Sequence, residues 1–304
     1  MKCSQPFMRD TSGRVHWSTK LTEEERLNMT PFPCGRCLPC RINKARTWQH
    51  RIMLETNSHD DSIFVTLTYS DDFLPITSRG DPTLVKTDLQ KFFKRLRRRL
   101  NEKTIRYFAV GEYGDRTERP HYHTCIFGLD PSLNTRSDIE SAWSIKHNPI
   151  GHVHIGRVEK ESARYIAGYT IKKLTDPNDE RLQGRYPEFM LSSRKGGGIG
   201  AQEVRRIAKH LKKSPYFDVD QIINTFQIGG KNYPLGSYLT KILVNELGTD
   251  EKLLKQMLFN YQQKIFQEND SYSEDYYFNI IEQSDNYRKR LEKKYKIYNK
   301  EKKL

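Results

Sequence analysis

The stretch GEYGDRTERPHYHTCIFG (111–128) sets a glutamate, a turn and a His-Tyr-His triplet directly before a hydrophobic run. Glu112 closes the apolar segment Tyr107, Phe108, Ala109, Val110, and Gly114 and Asp115 supply turn chemistry before an extended pattern resumes. This reads as a β-hairpin. Strand side chains alternate between faces, so His121 and His123 share one face, and the hairpin folds Glu112 back toward them. Two imidazoles and a carboxylate converging this way suit Mg²⁺, Mn²⁺ or Zn²⁺. Taken alone, the two histidines read equally as hydrogen-bonding core residues; Glu112 tips the balance toward a metal. A second pair, His152 and His154 in GHVHIG (151–156), has the same spacing without a hairpin-linked carboxylate. It reads as a strand with imidazoles turned to solvent or to DNA.

Outward from the hairpin, SIFVTLTY (62–69) is β-branched and aromatic, a buried strand. KTDLQKFFKRLRRRL (86–100) spaces its apolar residues as an amphipathic helix, with Lys91, Lys94, Arg95 and Arg98 on the basic side. Helices are also expected at 136–146, at 161–174 and in the basic run that follows Cys40, and a strand at 151–159. The pattern through residue 174 is α+β. SSRKGGGIG (192–200) reads as a flexible loop, TFQIGGKNYP (225–234) as a small hairpin, and the chain beyond 236 as mostly helical. The expected organisation is a Cys-rich segment and basic helix over 1–60, a catalytic domain over 61–200 and a basic helical region over 201–304.

The chain has 304 residues, of which 52 are Lys or Arg and 38 Asp or Glu, for a formal charge of +14. With 36% hydrophobic and 11% aromatic residues, it can bury a core. The positive balance favours a polyanionic partner, nucleic acid first. No apolar run reaches the ~18 residues of a membrane helix. The N-terminus lacks a signal-peptide core, and five cysteines, three of them crowded together, do not suggest a secreted disulfide framework. A reducing, intracellular setting without a membrane is expected.

ARYIAGYTIKK (163–173) carries the second constellation. At about 100° per residue, Tyr165, Tyr169 and Lys172 fall on one arc of a helix, with Ala163, Ile166 and Ala167 opposite. Such tyrosines are often ordinary amphipathic aromatics. A neighbouring lysine gives them another use, because a phenol is a poor nucleophile near neutrality unless a cation stabilises its phenolate.

Together SIFVTLTY, RPHYH and YIAGYTIKK resemble the three motifs of the HUH endonucleases that start rolling-circle DNA replication. The similarity is closest to the replication initiators of gokushovirus-type microviruses, in which a cluster like PCGRCLPCR (33–41) precedes the first motif. It extends over about residues 33–200. The resemblance implies a central antiparallel sheet flanked by helices, and Mg²⁺ or Mn²⁺ held by His121, His123 and Glu112. It further implies Tyr165 and Tyr169 as nucleophiles with Lys172 beside them. The expected activity is nicking of the single-stranded phage origin through a 5′-phosphotyrosine, then strand transfer or ligation. Host DNA polymerase and helicase are the expected partners and the host bacterial cytoplasm the setting. A plasmid initiator, relaxase or transposase would share the chemistry. A basic single-strand-binding protein without catalysis is the rival from another class.

Cys34, Cys37 and Cys40 stand at metal-like spacing, with Cys3 as a candidate fourth ligand for structural Zn²⁺, against plain reduced thiols. Cys125 reads as core. The segment from Arg288 to Leu304 has nine Lys or Arg against two Glu, and reads, like the 86–100 helix, as a DNA track or a solvated face. No phosphate-binding G-x-x-x-x-G-K-[ST] loop is present.

Overall fold

Alternation around the His-Tyr-His triplet builds the middle of a five-stranded antiparallel sheet. In this computed structural model the described residues are 3, 6–10, 12–17, 21–22, 25, 29–101, 103–114, 117–169, 180–214, 225–228 and 231–248. They divide into two compact units, one reaching Lys44 and the other running from Ala45 to Ser214 and from Thr225 to Leu247. The first contains a three-stranded antiparallel sheet of β1 (Phe7–Arg9), β2 (Val15–Trp17) and β3 (Thr30–Phe32), in the order β2-β1-β3. Helix α1 (Leu38–Asn57) begins in the first unit and lies mostly in the second.

The second unit carries β4 (Ser62–Thr68), β5 (Arg106–Tyr113), β6 (Pro120–Phe127), β9 (Val153–Arg157) and β10 (Phe189–Ser192), ordered β10-β5-β6-β4-β9. One face of this sheet presents Ile63, Val65, Leu67, Tyr122 and Ile126. Against it pack Leu89, Phe92, Phe93 and Leu96 of α2 (Lys86–Arg99) and Ile139 and Ala142 of α3 (Leu133–Ala142). The other face presents Phe108, Val110, Cys125 and Phe127 to Ile52 of α1 and to Ala163, Ile166 and Ala167 of α4 (Lys160–Gly168). Each fully buried large apolar side chain contributes on the order of 2 kcal/mol, so both faces are fixed by hydrophobic area before any polar residue is placed. Leu54 of α1 also packs with α5 (Ala201–Leu211) and α6 (Gly236–Leu247). β11 (Thr225–Ile228) and β12 (Lys231–Pro234) pair as the expected small hairpin. The chain is thus α+β, with helices on both faces of an antiparallel sheet.

Three expectations need correction. The helix placed at 136–146 starts at Leu133, where the Ser132 side chain accepts the Thr135 N–H at 3.3 Å, and ends at Ala142. A two-residue turn follows between β7 (Ser144–Ile145) and β8 (Asn148–Pro149). Its Lys146 and His147 take φ of 48° and 70°, a geometry usually marked by Asn-Gly. The Gly-rich segment 195–200 is pinned rather than free. Arg106 donates to the Lys195 and Gly197 carbonyls, Arg51 to Ile199 O at 3.0 Å and Arg205 to Gly196 O at 2.9 Å, while the Gly198 N–H donates to Tyr238 Oη at 2.6 Å. Strands β1–β3 and β10 carry too few residues to stand out as periodic segments.

Lys172 and the stretch from Arg288 onward lie outside the described residues. Among the described residues no helix is long and apolar enough to cross a membrane.

Candidate metal centre and active site

The His-Tyr-His triplet is anchored by its middle residue. Tyr122 is wholly buried on the face opposite the histidines, its hydroxyl donating to Val85 O at 2.9 Å, accepting from Val85 N at 3.1 Å and lying 2.8 Å from Tyr69 Oη. A one-residue slip would expose that hydroxyl network and bury the imidazoles, so the register is strongly specified. Glu112 stands directly across from His121 in the β5–β6 ladder, and Val110 across from His123.

The three side chains converge as hairpin geometry requires. Ligand-type atoms of Glu112, His121 and His123 all lie within 4.8 Å of one another. Glu112 Oε1 is 3.2 Å from His121 Nε2 and 2.9 Å from His123 Nε2. The carboxylate is 3% exposed and its Oε2 is buried without a hydrogen-bond partner. Burial pushes the Glu112 carboxyl up, but hydrogen bonds with His121 and then His123 more than reverse this and hold it below the usual carboxylate range.

The far side of each ring is also engaged. His121 Nδ1 donates to the Arg119 carbonyl at 2.9 Å, and His123 Nδ1 lies 2.9 Å from Thr66 Oγ1. A carbonyl only accepts, so a neutral His121 keeps its lone pair on Nε2, aimed at a carboxylate oxygen. Lone pair against lone pair is repulsive unless a proton or a cation lies between. Together with the orphaned Oε2, this donor set fits a divalent cation, with Arg119 O and Thr66 orienting the rings from outside. Thr66 was not singled out from the sequence. Its signal is polarity at alternate positions of a buried strand, Thr66 and Thr68 in VTLT.

Helix α4 sets both phenols over this cluster. A capping box between Glu159 and Ser162 starts it, and it ends at Gly168, with Tyr169 as the C-cap. The expected helix ran to 174, and residues 170–174 are not described. Ala163, Ile166 and Ala167 pack inward. Tyr165 meets His123 edge-on at 5.3 Å between ring centroids, Tyr169 stacks on His123 at 5.6 Å and 12°, and the two phenol rings are 5.0 Å apart. The geometry therefore gathers Glu112, His121, His123, Tyr165 and Tyr169.

The basic helix is not part of this gathering. Lys91, Lys94 and Arg98 are exposed on α2, which covers the opposite face of the sheet. Arg95 is half-buried and donates to the Ala142 carbonyl at 2.6 Å, closing the end of α3. That corrects its placement on the exposed basic side. The second histidine pair does share the metal face. His154 lies across Thr66 from His123, and the His152 carbonyl accepts from Thr68 N. Both imidazoles are exposed, on the edge strand.

In the first unit the thiols of Cys3, Cys34, Cys37 and Cys40 also lie within 4.8 Å of one another. Cys3 and Cys37 sulfurs are 3.7 Å apart, too far for a disulfide and close to the ~3.8 Å edge of a tetrahedron whose metal–sulfur bonds are about 2.3 Å. Backbone N–H groups of Cys34 and Cys37 donate to Cys3 Sγ and Cys34 Sγ at 3.2 and 3.3 Å. Four sulfurs so placed can hold a metal ion.

Comparison with known proteins follows the same residues. A family profile described as replication-associated protein ORF2 matches residues 62–174. The replication-associated protein ORF2 of Spiroplasma virus 4 is 31% identical over 253 residues, covering 76% of each chain. The chain belongs to this family of replication-associated proteins. The replication-associated protein VP4 of Bdellovibrio phage phiMH2K is 34% identical over 202 residues, 59% of this chain and 61% of that protein. Replication-associated protein ORF4 of Chlamydia phage 1 is 29% identical over 163 residues, covering 47% of this chain and 38% of the relative. No solved structure gives a significant match. The stretch that matches the family profile begins with β4 and extends past α4, so it contains every residue of the Glu-His-His and tyrosine constellation and none of the cysteine cluster.

Proposed function

We propose that this protein is an HUH-type nuclease that initiates rolling-circle replication of a phage genome by nicking single-stranded DNA at the origin. The observation that carries the reading is the packing of two phenols around one candidate ligand, His123, at 5.3 and 5.6 Å. Ordinary core tyrosines have no reason to stand in pairs over a cluster that holds an orphaned buried carboxylate oxygen.

Glu112, His121 and His123 would hold Mg²⁺ or Mn²⁺, which supplies Lewis-acid stabilisation of charge on the scissile phosphate. One tyrosine gives up its phenolic proton and attacks phosphorus through Oη. The Oη–P bond forms as the P–O3′ bond breaks, and the departing oxygen takes a proton to become the 3′-hydroxyl that primes a host polymerase. The 5′ end stays on the enzyme as a phosphotyrosine ester. The second phenol repeats the step on the regenerated origin. The released 3′-hydroxyl then displaces the first tyrosine and closes the circle, conserving one phosphodiester-level bond throughout, so no nucleotide is consumed. Lys172 is proposed to stabilise the phenolate. Strand separation falls to a host helicase, in the host bacterial cytoplasm. The four cysteines are proposed to hold a structural Zn²⁺, and Lys91, Lys94 and Arg98 to contact DNA away from the cut.

The test is a covalent adduct. Labelled single-stranded origin DNA with Mn²⁺ or Mg²⁺ should give an SDS-resistant protein–DNA species. The adduct should disappear in His121→Ala/His123→Ala and in Tyr165→Phe/Tyr169→Phe, with the single tyrosine variants ranking the two nucleophiles. Tight binding with no adduct, across candidate origin fragments and both metals, would leave the non-catalytic binding protein as the better reading.

A further inference from the structure

The first unit carries a surface that the nuclease reading does not use. In the β2-β1-β3 sheet, Phe7 pairs with Trp17 on one side and with Phe32 on the other, so three aromatic residues form one cross-strand row. With strands about 4.8 Å apart, such a row is roughly 10 Å wide. Phe7 and Trp17 rings are 4.4 Å apart, and the Arg9 guanidinium lies 4.5 Å over Phe32. Arg9 and Val15 form the next pair on the same face. Trp17 is 50% exposed and Val15 56%.

The two faces of this small sheet differ sharply. On the other face Met8 is buried and His16 is bonded to Asp10 at 3.0 Å. Asp10 also takes Arg14, so the acidic group of this segment is occupied away from the aromatic row. Among the described residues no carboxylate pairs with Arg9. The open face therefore offers contiguous rings and an uncompensated positive charge.

We propose that Trp17, Phe7, Phe32 and Arg9 form a stacking platform for single-stranded DNA, separate from the cleavage centre. Aromatic rows on an antiparallel sheet bind unpaired bases by stacking, and an adjacent arginine contacts the phosphate or stacks in turn. Duplex bases are already stacked and cannot use such a face. The thiol cluster suits this role structurally: Cys3 precedes β1 and Cys34 follows β3, so a metal on the sulfurs clips together a sheet too small to be stable alone. The choice of DNA over other single strands rests on the proposed replication role. The stacking itself does not.

The experiment uses the full chain carrying Tyr165→Phe/Tyr169→Phe, so that binding is read without cleavage. Dissociation constants are measured by anisotropy for a labelled oligo-dT of about 20 nucleotides and for a duplex of equal length, with tryptophan emission followed alongside. Trp17→Ala should weaken oligo-dT binding at least about fivefold, the lower end of what one stacked base supplies. It should also remove most of the emission quenching and leave duplex binding unchanged. Trp17→Phe should restore most of the affinity, which a folding defect would not do. Arg9→Gln should weaken binding less and lower the salt slope by about one. Unchanged oligo-dT affinity in Trp17→Ala, or an equal loss on duplex, overturns the platform. Absence of a covalent adduct in the chain with both tyrosines intact would sink the nuclease reading and leave this result standing.

Discussion

Two His-x-His pairs share one face of one sheet, separated by a single strand, and their surroundings differ at every level. His121 and His123 stand on β6, opposite a buried glutamate, with a carbonyl and a hydroxyl holding the outer nitrogens and two phenols overhead. His152 and His154 stand at the sheet edge and are exposed. Thr66 and Thr68 of β4 lie between the pairs, so the same two rows cross both. Spacing alone therefore does not make a ligand pair. Neighbours that aim the nitrogens and a carboxylate that needs a counter-charge make the difference.

The largest expected effect breaks that comparison outright. Replacing His121 and His123 with Ala should lower the rate of adduct formation by roughly 10³-fold or more, the scale of several kcal/mol of transition-state stabilisation. His152→Ala/His154→Ala should stay within about tenfold, an effect of partly exposed contacts only. Equal losses in the two double variants would erase the distinction between the pairs.

A second contrast lies along the same face, between two buried carboxylates. Glu112 has an orphaned oxygen, whereas Glu55 is bonded to Arg106 and His59 and accepts the Gly200 N–H at 2.6 Å. Burial pushes the Glu55 carboxyl up, yet its hydrogen bonds and the Arg106 charge leave it below its usual value of 4.5. Its folded-state pKa is thus depressed, so its contribution is complete above about pH 4.5 and lost as pH falls further. Glu55→Gln should cost about 3 kcal/mol in urea unfolding at pH 7, the cost of breaking a buried pair, and less near pH 3. Its metal response should be intact. Glu112→Gln should abolish stabilisation by added Mn²⁺, read as a shift in Tm.

Gly151 tests the spacer between the pairs. A Cβ there would sit 2.0 Å from the Thr68 carbonyl oxygen, against backbone that cannot yield. Gly151→Ala should cost about 2 kcal/mol or more by displacing β9 from β4, as denaturant midpoints will show. The smallest effect is the sharpest. Thr66→Val keeps the shape and removes the hydroxyl beside His123 Nδ1, and should weaken Mn²⁺ binding by about tenfold in calorimetry. Thr68→Val, whose hydroxyl is 3.4 Å from the His152 carbonyl, should change it little.

How much was legible follows from the range of each interaction. The hairpin, the convergence of Glu112 with His121 and His123, and the inward face of the tyrosine helix depend on periodicity over a few residues, and the structure places them accordingly. The α4 boundary was not legible, because a capping pair at Glu159 and Ser162 and a glycine at 168 set it locally. The fixed geometry of 195–200 was hidden for the opposite reason. Its arginines come from residues 51, 106 and 205, distant in sequence, and the Glu55 carboxylate takes the N–H at the start of α5. Likewise the side of the sheet that α2 covers depends on which apolar face it meets. Its own charge pattern carries no such information.

Strand β4 faces both ways, with Ile63, Val65 and Leu67 in the core and Phe64, Thr66 and Thr68 toward the histidines. Substitutions there can drift one position at a time, but the reading frame of the strand cannot. Inserting or deleting a single codon within it would exchange the two sets wholesale, presenting leucine and valine to the imidazoles. The lineage of this protein should therefore vary freely in the length of its loops while keeping the residue count of β4, a signature measurable in any collection of its descendants.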